Sequence, residues 1–417
     1  MAYKRLTVSV RTEAPLLLGG PSGLGNYLET LDYIPGSVLR GATAARLIGN
    51  CSDPDHTPGN HLTPPSNQTD CLFYDVFGHR AEPFFGNCYP SQNAGEYSFP
   101  FPATTRTCKT HPGFIDPAHA DRHHGIFDIL VRQLVFEEAI ENRLELAFLY
   151  EPVCPVCYGG VKERDGFYQP GLTTDYLQPE VKTERASHTA INRAREVAED
   201  ALLYTVETVD PYTIFVGQIV VTEEKEKTLL SLLNGNIELG RGVARGWGAV
   251  RIEAETASAL WSTNLANRIE TFNKMIEDER RFYYKLAGQP YHSDGSWYFT
   301  VDLLADACPT EDGLPSLRLL PTQLNPAYDT AEITLVRSFI TSTLDSGWLA
   351  AARLPRGTVS LVKRGNLFVY RVAPGVDKDA VLSDLKTLEL VGVGRGRERG
   401  LGQLVVCSPF HMEVEPK

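Results

Sequence analysis

One nine-residue loop occurs twice in this chain, and that repeat constrains the fold more than any other feature. Residues 240–248 read Gly-Arg-Gly-Val-Ala-Arg-Gly-Trp-Gly, and residues 394–402 read Gly-Arg-Gly-Arg-Glu-Arg-Gly-Leu-Gly. Both obey G-R-G-x-x-R-G-x-G. Each follows a helical pattern, Glu223–Asn234 or Asp377–Leu388, and each precedes a short apolar run, Ala249–Ile252 or Gln403–Cys407. A helix, a Gly/Arg loop and a strand in that order, written twice, predict two copies of one domain. The glycines permit positive φ and close approach of a ligand to the backbone. The arginines add planar charged forks suited to phosphate. One such loop alone would read as a turn with solvated arginines. Agreement at every specified position in two places favours a cradle for a polyanion.

At 417 residues the chain is long enough for two or three domains, and its 42% hydrophobic content supports real cores. A net charge of −12 argues against a protein that coats nucleic acid nonspecifically, yet leaves room for a local basic groove. No apolar run reaches membrane-spanning length. Residues 1–10 alternate Leu6, Val8 and Val10 like a strand and lack a signal-peptide core, so a cytoplasmic location is expected. Six of the eight cysteines lie between residues 51 and 157, and seven of the ten histidines between 56 and 124. In an intracellular protein that clustering points to a metal rather than to disulfides.

Along the chain, strand Lys4–Thr12 leads through the glycine-rich loop Gly19–Gly25 to helix Ser37–Ile48, introduced by Pro35 and Ser37. The backbone N–H groups at that helix start could hold a phosphate. Residues 50–180 are rich in Pro, Gly, Asn, Cys, His and aromatics and read as an insertion. Regular pattern returns at Arg185–Ile191, followed by strands Leu202–Val209 and Thr213–Val221 around Asp210-Pro211. Helix Glu223–Asn234 and the first Gly/Arg loop then complete a β-α-β-β-α-β order, a ferredoxin-like arrangement. A helical stretch, Ala259–Ala287, links to a second copy built from Trp297–Ala305, Ile333–Ile340, Thr358–Lys363, Leu367–Val372, Asp377–Leu388 and Gln403–Cys407. The expected class is α+β: two ferredoxin-like (RRM-like) domains at 1–255 and 297–417, a helical linker at 256–296, and a Cys/His-rich insertion at about 50–180.

The segment Ile34-Pro35-Gly36-Ser37-Val38-Leu39-Arg40-Gly41 resembles the Ile-Pro-Gly-Ser-Ser-Leu-Arg-Gly motif of the RAMP superfamily of CRISPR-associated proteins. The two Gly/Arg loops resemble that superfamily's glycine-rich loop. The stretch from His188 through Val220 resembles its central block, with Phe215-Val216-Gly217-Gln218-Ile219 as the F-x-G-x-I run. Length, two copies and the Cys/His insertion are most similar to the Csx-ten type of subunit in type III-D effector complexes. The resemblance implies a subunit that grips the 5′ handle of CRISPR RNA beside a large polymerase-like subunit and RAMP backbone subunits, meeting target RNA indirectly.

Within that frame the expected RNA-binding residues are Arg40, Arg241, Gly242, Arg245, Gly246, Trp247, Gly248, Arg395, Gly396, Arg397, Arg399, Gly400 and Gly402. Trp247 could stack on a base or be buried against the sheet. Arg40 could join the same groove or pair with Glu29 or Asp32. Phe84, Phe85 and Tyr89 read as core aromatics more than as a stacking surface. For a structural zinc, Cys154-Pro155-Val156-Cys157 supplies a C-x-x-C knuckle. Cys108 is the third choice and His124 the fourth, ahead of His111, with Cys71 and Cys88 as rivals, while His119, His123 and His124 read equally as surface or RNA-facing residues. Some RAMP relatives cut RNA, the processing types commonly with a histidine near the start of the first domain. Here no histidine lies between the first strand and Ile34. His188 and Asp32 are weak candidates, so a noncatalytic subunit is expected. The alternative is an endoribonuclease that processes precursor CRISPR RNA or cuts target RNA.

Overall fold

The computed structural model describes residues 3–19, 26–51, 61, 71–78, 83–114, 124–146, 150–171, 176–192, 197–257, 264–349 and 354–414. The first domain runs β1 (Tyr3–Thr12), α1 (Gly36–Gly49), β2 (Phe84–Ser91), α2 (Leu130–Glu141), β3 (Thr183–Asn192), β4 (Val197–Val209), β5 (Ile214–Thr222), α3 (Glu223–Leu233), β6 (Gly235–Glu238) and β7 (Ala249–Ala257). Its antiparallel sheet has the order β6-β7-β1-β5-β2. Without the added edge strand β6, that is the ferredoxin-like order. On β1, Leu6, Val8 and Val10 alternate into the core, where Leu39 and Leu47 of α1 meet Leu229 and Leu233 of α3. Three glutamates in the first turn of α3 suit the positive end of the helix dipole.

The second domain follows as α4 (Leu265–Leu286), β8 (Trp297–Leu303), β9 (Ile333–Phe339), β10 (Ser342–Leu349), β11 (Leu354–Val362), β12 (Leu367–Val372), α5 (Lys378–Val391) and β13 (Leu404–Val406). Its sheet order, β9-β12-β8-β13, is the same ferredoxin-like pattern read from the other edge. Asp377 caps α5 by accepting the N–H groups of Asp379 and Ala380 at 3.0 and 3.2 Å.

Three expectations need correction. Leu202–Val209 is not a strand of the first central sheet. It belongs to β4, which pairs with β3 in a long hairpin (His188 opposite Tyr204). The missing strand is β2, inside the stretch read as an insertion, with Gly217 opposite Cys88 and Ile219 opposite Phe85. Likewise Thr358–Lys363 lies largely in a second hairpin, β10 with β11, rather than in the second sheet. Both domains therefore place a β-hairpin between their second and third core strands.

The helical segment is more than a linker. Between β8 and β9 stand a small hairpin, Thr310–Glu311 with Leu314–Pro315, and the one-turn helix Pro321–Leu324. The second core is filled instead by α4, through Leu265, Ile269, Phe272, Ile276 and Tyr283 at helical spacing. Helix α2 packs on α4 through Leu134, Val135 and Phe136. Buried Arg280 bridges the two, donating to Glu138 at 2.8 Å and to the Tyr298 hydroxyl at 2.6 Å. Buried His411 lies between Asp302 on β8 (2.6 Å) and Asp128 just before α2 (3.2 Å). No described helix is long and apolar enough to cross a membrane.

Candidate nucleic-acid interface and metal centre

The two Gly/Arg loops are one structure built twice. Gly240, Gly242, Gly246 and Gly248 have φ of 77°, 81°, 83° and 84°, and Gly394, Gly396, Gly400 and Gly402 have 74°, 80°, 98° and 71°. In the first loop the N–H groups of Arg241 and Gly248 donate to the carbonyls of Leu17 and Pro15, just after β1. In the second, those of Arg395 and Gly402 donate to Cys308 and Asp306, just after β8. A Cβ on Gly240 or Gly248 would overlap the carbonyl of Leu17 or Leu239, and one on Gly394 or Gly402 that of Cys308 or Val393. Close backbone approach is thus made to the protein's own chain. Of the glycines expected to touch RNA, Gly248, Gly400 and Gly402 are buried, Gly242 lies under the Trp247 ring, and Gly396 packs on Arg399 and Leu401. Gly246 is exposed with open space around it.

The arginines divide the two copies. Arg241 and Arg245 are exposed. Arg245 donates to the Tyr204 hydroxyl on the first hairpin at 3.0 Å and lies 5.7 Å from the Trp247 ring centroid. Arg399, its counterpart in the second loop, pairs with Asp345 on the second hairpin at 3.6 Å, and Arg356 holds the same carboxylate at 2.6 Å. Arg397 lies over the Phe84 ring of the first domain at 5.5 Å, while Arg395 is exposed. Gly400 packs against Gly36, Phe85 and Asn87, so the second loop is wedged between the domains.

Helix α1 does not offer an open phosphate site at Gly36, because the Gly36 N–H donates to the Asn87 side chain at 2.9 Å. Arg40 lies over the Phe77 ring at 5.0 Å. Asp32 pairs with Arg364 at 3.7 Å. Arg364 is sandwiched against Tyr33 (4.4 Å) and Phe167 (5.5 Å). Phe85 and Tyr89 are buried, as core aromatics should be. His188 stacks on Tyr204 at 5.4 Å and approaches Trp247 at 5.9 Å. Tyr204 carries no signal of its own in the sequence. Its place opposite His188 follows only from the hairpin register.

Cys108, His124, Cys154 and Cys157 converge, with all four ligand atoms within 4.8 Å of one another. Cys108 lies at the end of strand Thr105–Cys108. The knuckle is closed by N–H donation from Tyr158 to Cys154 and from Cys154 to Gly159, with Tyr158 at φ 57°. Tetrahedral zinc sets sulfur–sulfur and sulfur–nitrogen separations of about 3.8 and 3.6 Å. The Cys108 sulfur lies 3.8 Å from that of Cys157 and 3.5 Å from His124 Nδ1. Burial pushes the Cys108 thiol up, but N–H groups of His111 and Thr110, with His124 and Cys157, outweigh it and bring the pKa down to about 6. Donor set and spacing therefore fit zinc. His111 lies beside the cluster, 4.2 Å from His124 ring to ring. Cys88 is sealed in the first core and Cys71 sits 3.7 Å from Cys51, away from these four. His119, His123 and residues 20–25 of the expected glycine-rich loop lie outside the described residues.

A family model described as the RAMP superfamily matches residues 9–251. The chain belongs to the RAMP superfamily. No curated protein matches it. Among solved structures, this RAMP protein resembles a chain of the type III-B Cmr-beta complex bound to cognate target RNA and AMPPnP, at TM-score 0.39 and 10% identity, covering 92% of this chain and 88% of that one. A second such complex bound to cognate target RNA gives the same score and identity, with 87% and 86% covered. The apo state gives 0.30 and 12%, with 62% and 99% covered. Likeness at this level adds nothing to the family match.

Proposed function

We propose that this RAMP protein is a noncatalytic RNA-binding subunit of a type III CRISPR effector complex, of the Csx-ten kind. It grips the 5′ handle of CRISPR RNA with its first Gly/Arg loop and scaffolds the neighbouring large and backbone subunits. The observation that carries this reading is the unequal state of two equivalent arginines. Arg245 stands exposed on an aromatic platform, whereas Arg399 is held by Asp345 at a domain boundary. Free guanidinium forks bind phosphate, and a neutralised one does not. Family membership supports the RNA class of ligand. The involvement of Asp32 with Arg364 and of His188 with aromatic rings supports the absence of a nuclease centre.

The test is a titration of the purified protein with labelled CRISPR-repeat RNA and a scrambled RNA at two salt concentrations. Arg241→Ala with Arg245→Ala should weaken binding and reduce the salt slope by about 2, roughly one for each phosphate no longer neutralised. Arg399→Ala should leave the slope nearly unchanged. A reversed pattern would refute the assignment of RNA to the first loop. Site-specific cleavage abolished by Asp32→Ala or His188→Ala would instead establish the endonuclease alternative.

A further inference from the structure

Resting on that RNA-binding reading, we infer that His188, Tyr204, Trp247 and Arg245 form a receptor for one unstacked nucleobase of a single strand, with its adjoining phosphate on Arg245 and Arg241. Three rings from two elements meet here. His188 and Tyr204 face one another across the hairpin, 5.4 Å apart with ring planes within 24°. Trp247 approaches from the Gly/Arg loop at 5.9 Å and 60°, so it closes a corner rather than extending the stack. The Arg245 guanidinium lies 6.0 Å from the Tyr204 ring and 5.7 Å from that of Trp247.

All three rings are half-buried and Arg245 is exposed, so the cluster opens to solvent. Core aromatics in this protein, such as Phe85 and Tyr168, are sealed. Trp247 is braced by Gly242, where any Cβ would overlap the indole. The indole therefore keeps its pose without a ligand, which lowers the ordering cost of binding. His188 Nε2 is shielded from solvent and has no hydrogen-bond partner among the described residues. A base edge would give that nitrogen the partner it lacks. Flat aromatic walls accept any base, a charged fork at the rim accepts a phosphate, and together they describe single-stranded RNA. The second copy lacks this arrangement at its loop arginine, where Asp345 replaces the tyrosine contact.

The experiment uses the full chain and a short single-stranded RNA carrying 2-aminopurine at successive positions, read by fluorescence at two salt concentrations. One position should be quenched on binding. Tyr204→Ala and Trp247→Ala should each weaken binding roughly 5- to 150-fold, the range for removal of one base–aromatic stack. Their salt slopes should match the parent, because stacking releases no counterions. Trp247→Phe should recover most of the affinity. Tyr204→Ala and His188→Ala stand on an open hairpin, so their effects are separable from a collapse of the loop. If the parent binds RNA but these variants bind equally well and no position is quenched, the receptor is refuted while the RNA-binding reading survives. If the parent binds no single-stranded RNA, both fall.

Discussion

Each Gly/Arg loop contains glycines of different kinds, and they should not be equally replaceable. Gly402 has φ 71° and its Cβ would overlap the Val393 carbonyl. Gly246 has φ 83° but open space around it. Gly246→Ala should cost only the left-handed backbone penalty, about 1–2 kcal/mol. Gly402→Ala adds an overlap that backbone cannot easily relieve, for a total of about 2–5 kcal/mol. Denaturant midpoints measure both, and equal losses would contradict the strap geometry. From sequence the two loops look interchangeable. What separates Arg245 from Arg399 is a tyrosine in one hairpin and an aspartate in the other. Those residues lie far away in sequence, so the loop motif alone cannot tell a free arginine from a neutralised one.

At the scale of elements, most of the regular structure was legible where the pattern was strong. Helices α1, α3 and α5 fall within a few residues of their expected bounds, because their apolar spacing and flanking residues mark them. Strand β2 was not legible. Its sequence, Phe-Phe-Gly-Asn-Cys-Tyr-Pro-Ser, carries Gly and Pro, and all but its first residue are buried, so the alternation that marks a strand is absent. The convergence of Cys108, His124, Cys154 and Cys157 was legible in part, because C-x-x-C marks two of them while the other two had to be chosen from several nearby cysteines and histidines. The knuckle makes a further prediction. The protein as purified should carry about one zinc per chain by elemental analysis, within the usual four-ligand stoichiometry. Cys108→Ser with Cys157→Ser should abolish that zinc and increase proteolysis around residues 105–164. Full zinc retention in the double variant would place the metal elsewhere.

For the whole molecule, His411 is the fastening that joins early and late parts of the chain. Burial alone would lower its pKa, but Asp302 and Asp128 outweigh burial and raise it to about 10. With the folded value above the unfolded one, the associated stability is fully present below about pH 6.5 and is lost as pH rises through about 10. Thermal unfolding should therefore show an alkaline decline that His411→Ala removes. The same substitution leaves two buried carboxylates without their cation and should cost about 3–5 kcal/mol near neutrality. An unchanged pH profile in the variant would show that other groups govern the alkaline limb.

The packing of α2 on α4 also orders events in time. A ribosome delivers β1 and β2, then the apolar face of α2, well before the rest of the first domain, α4 and the second sheet emerge. Asp128 likewise leaves the tunnel long before His411. The nascent chain thus holds sticky surface exposed through much of translation, when chaperone protection matters most. Two ferredoxin-like repeats that look like separate beads would mature together, at the end of synthesis.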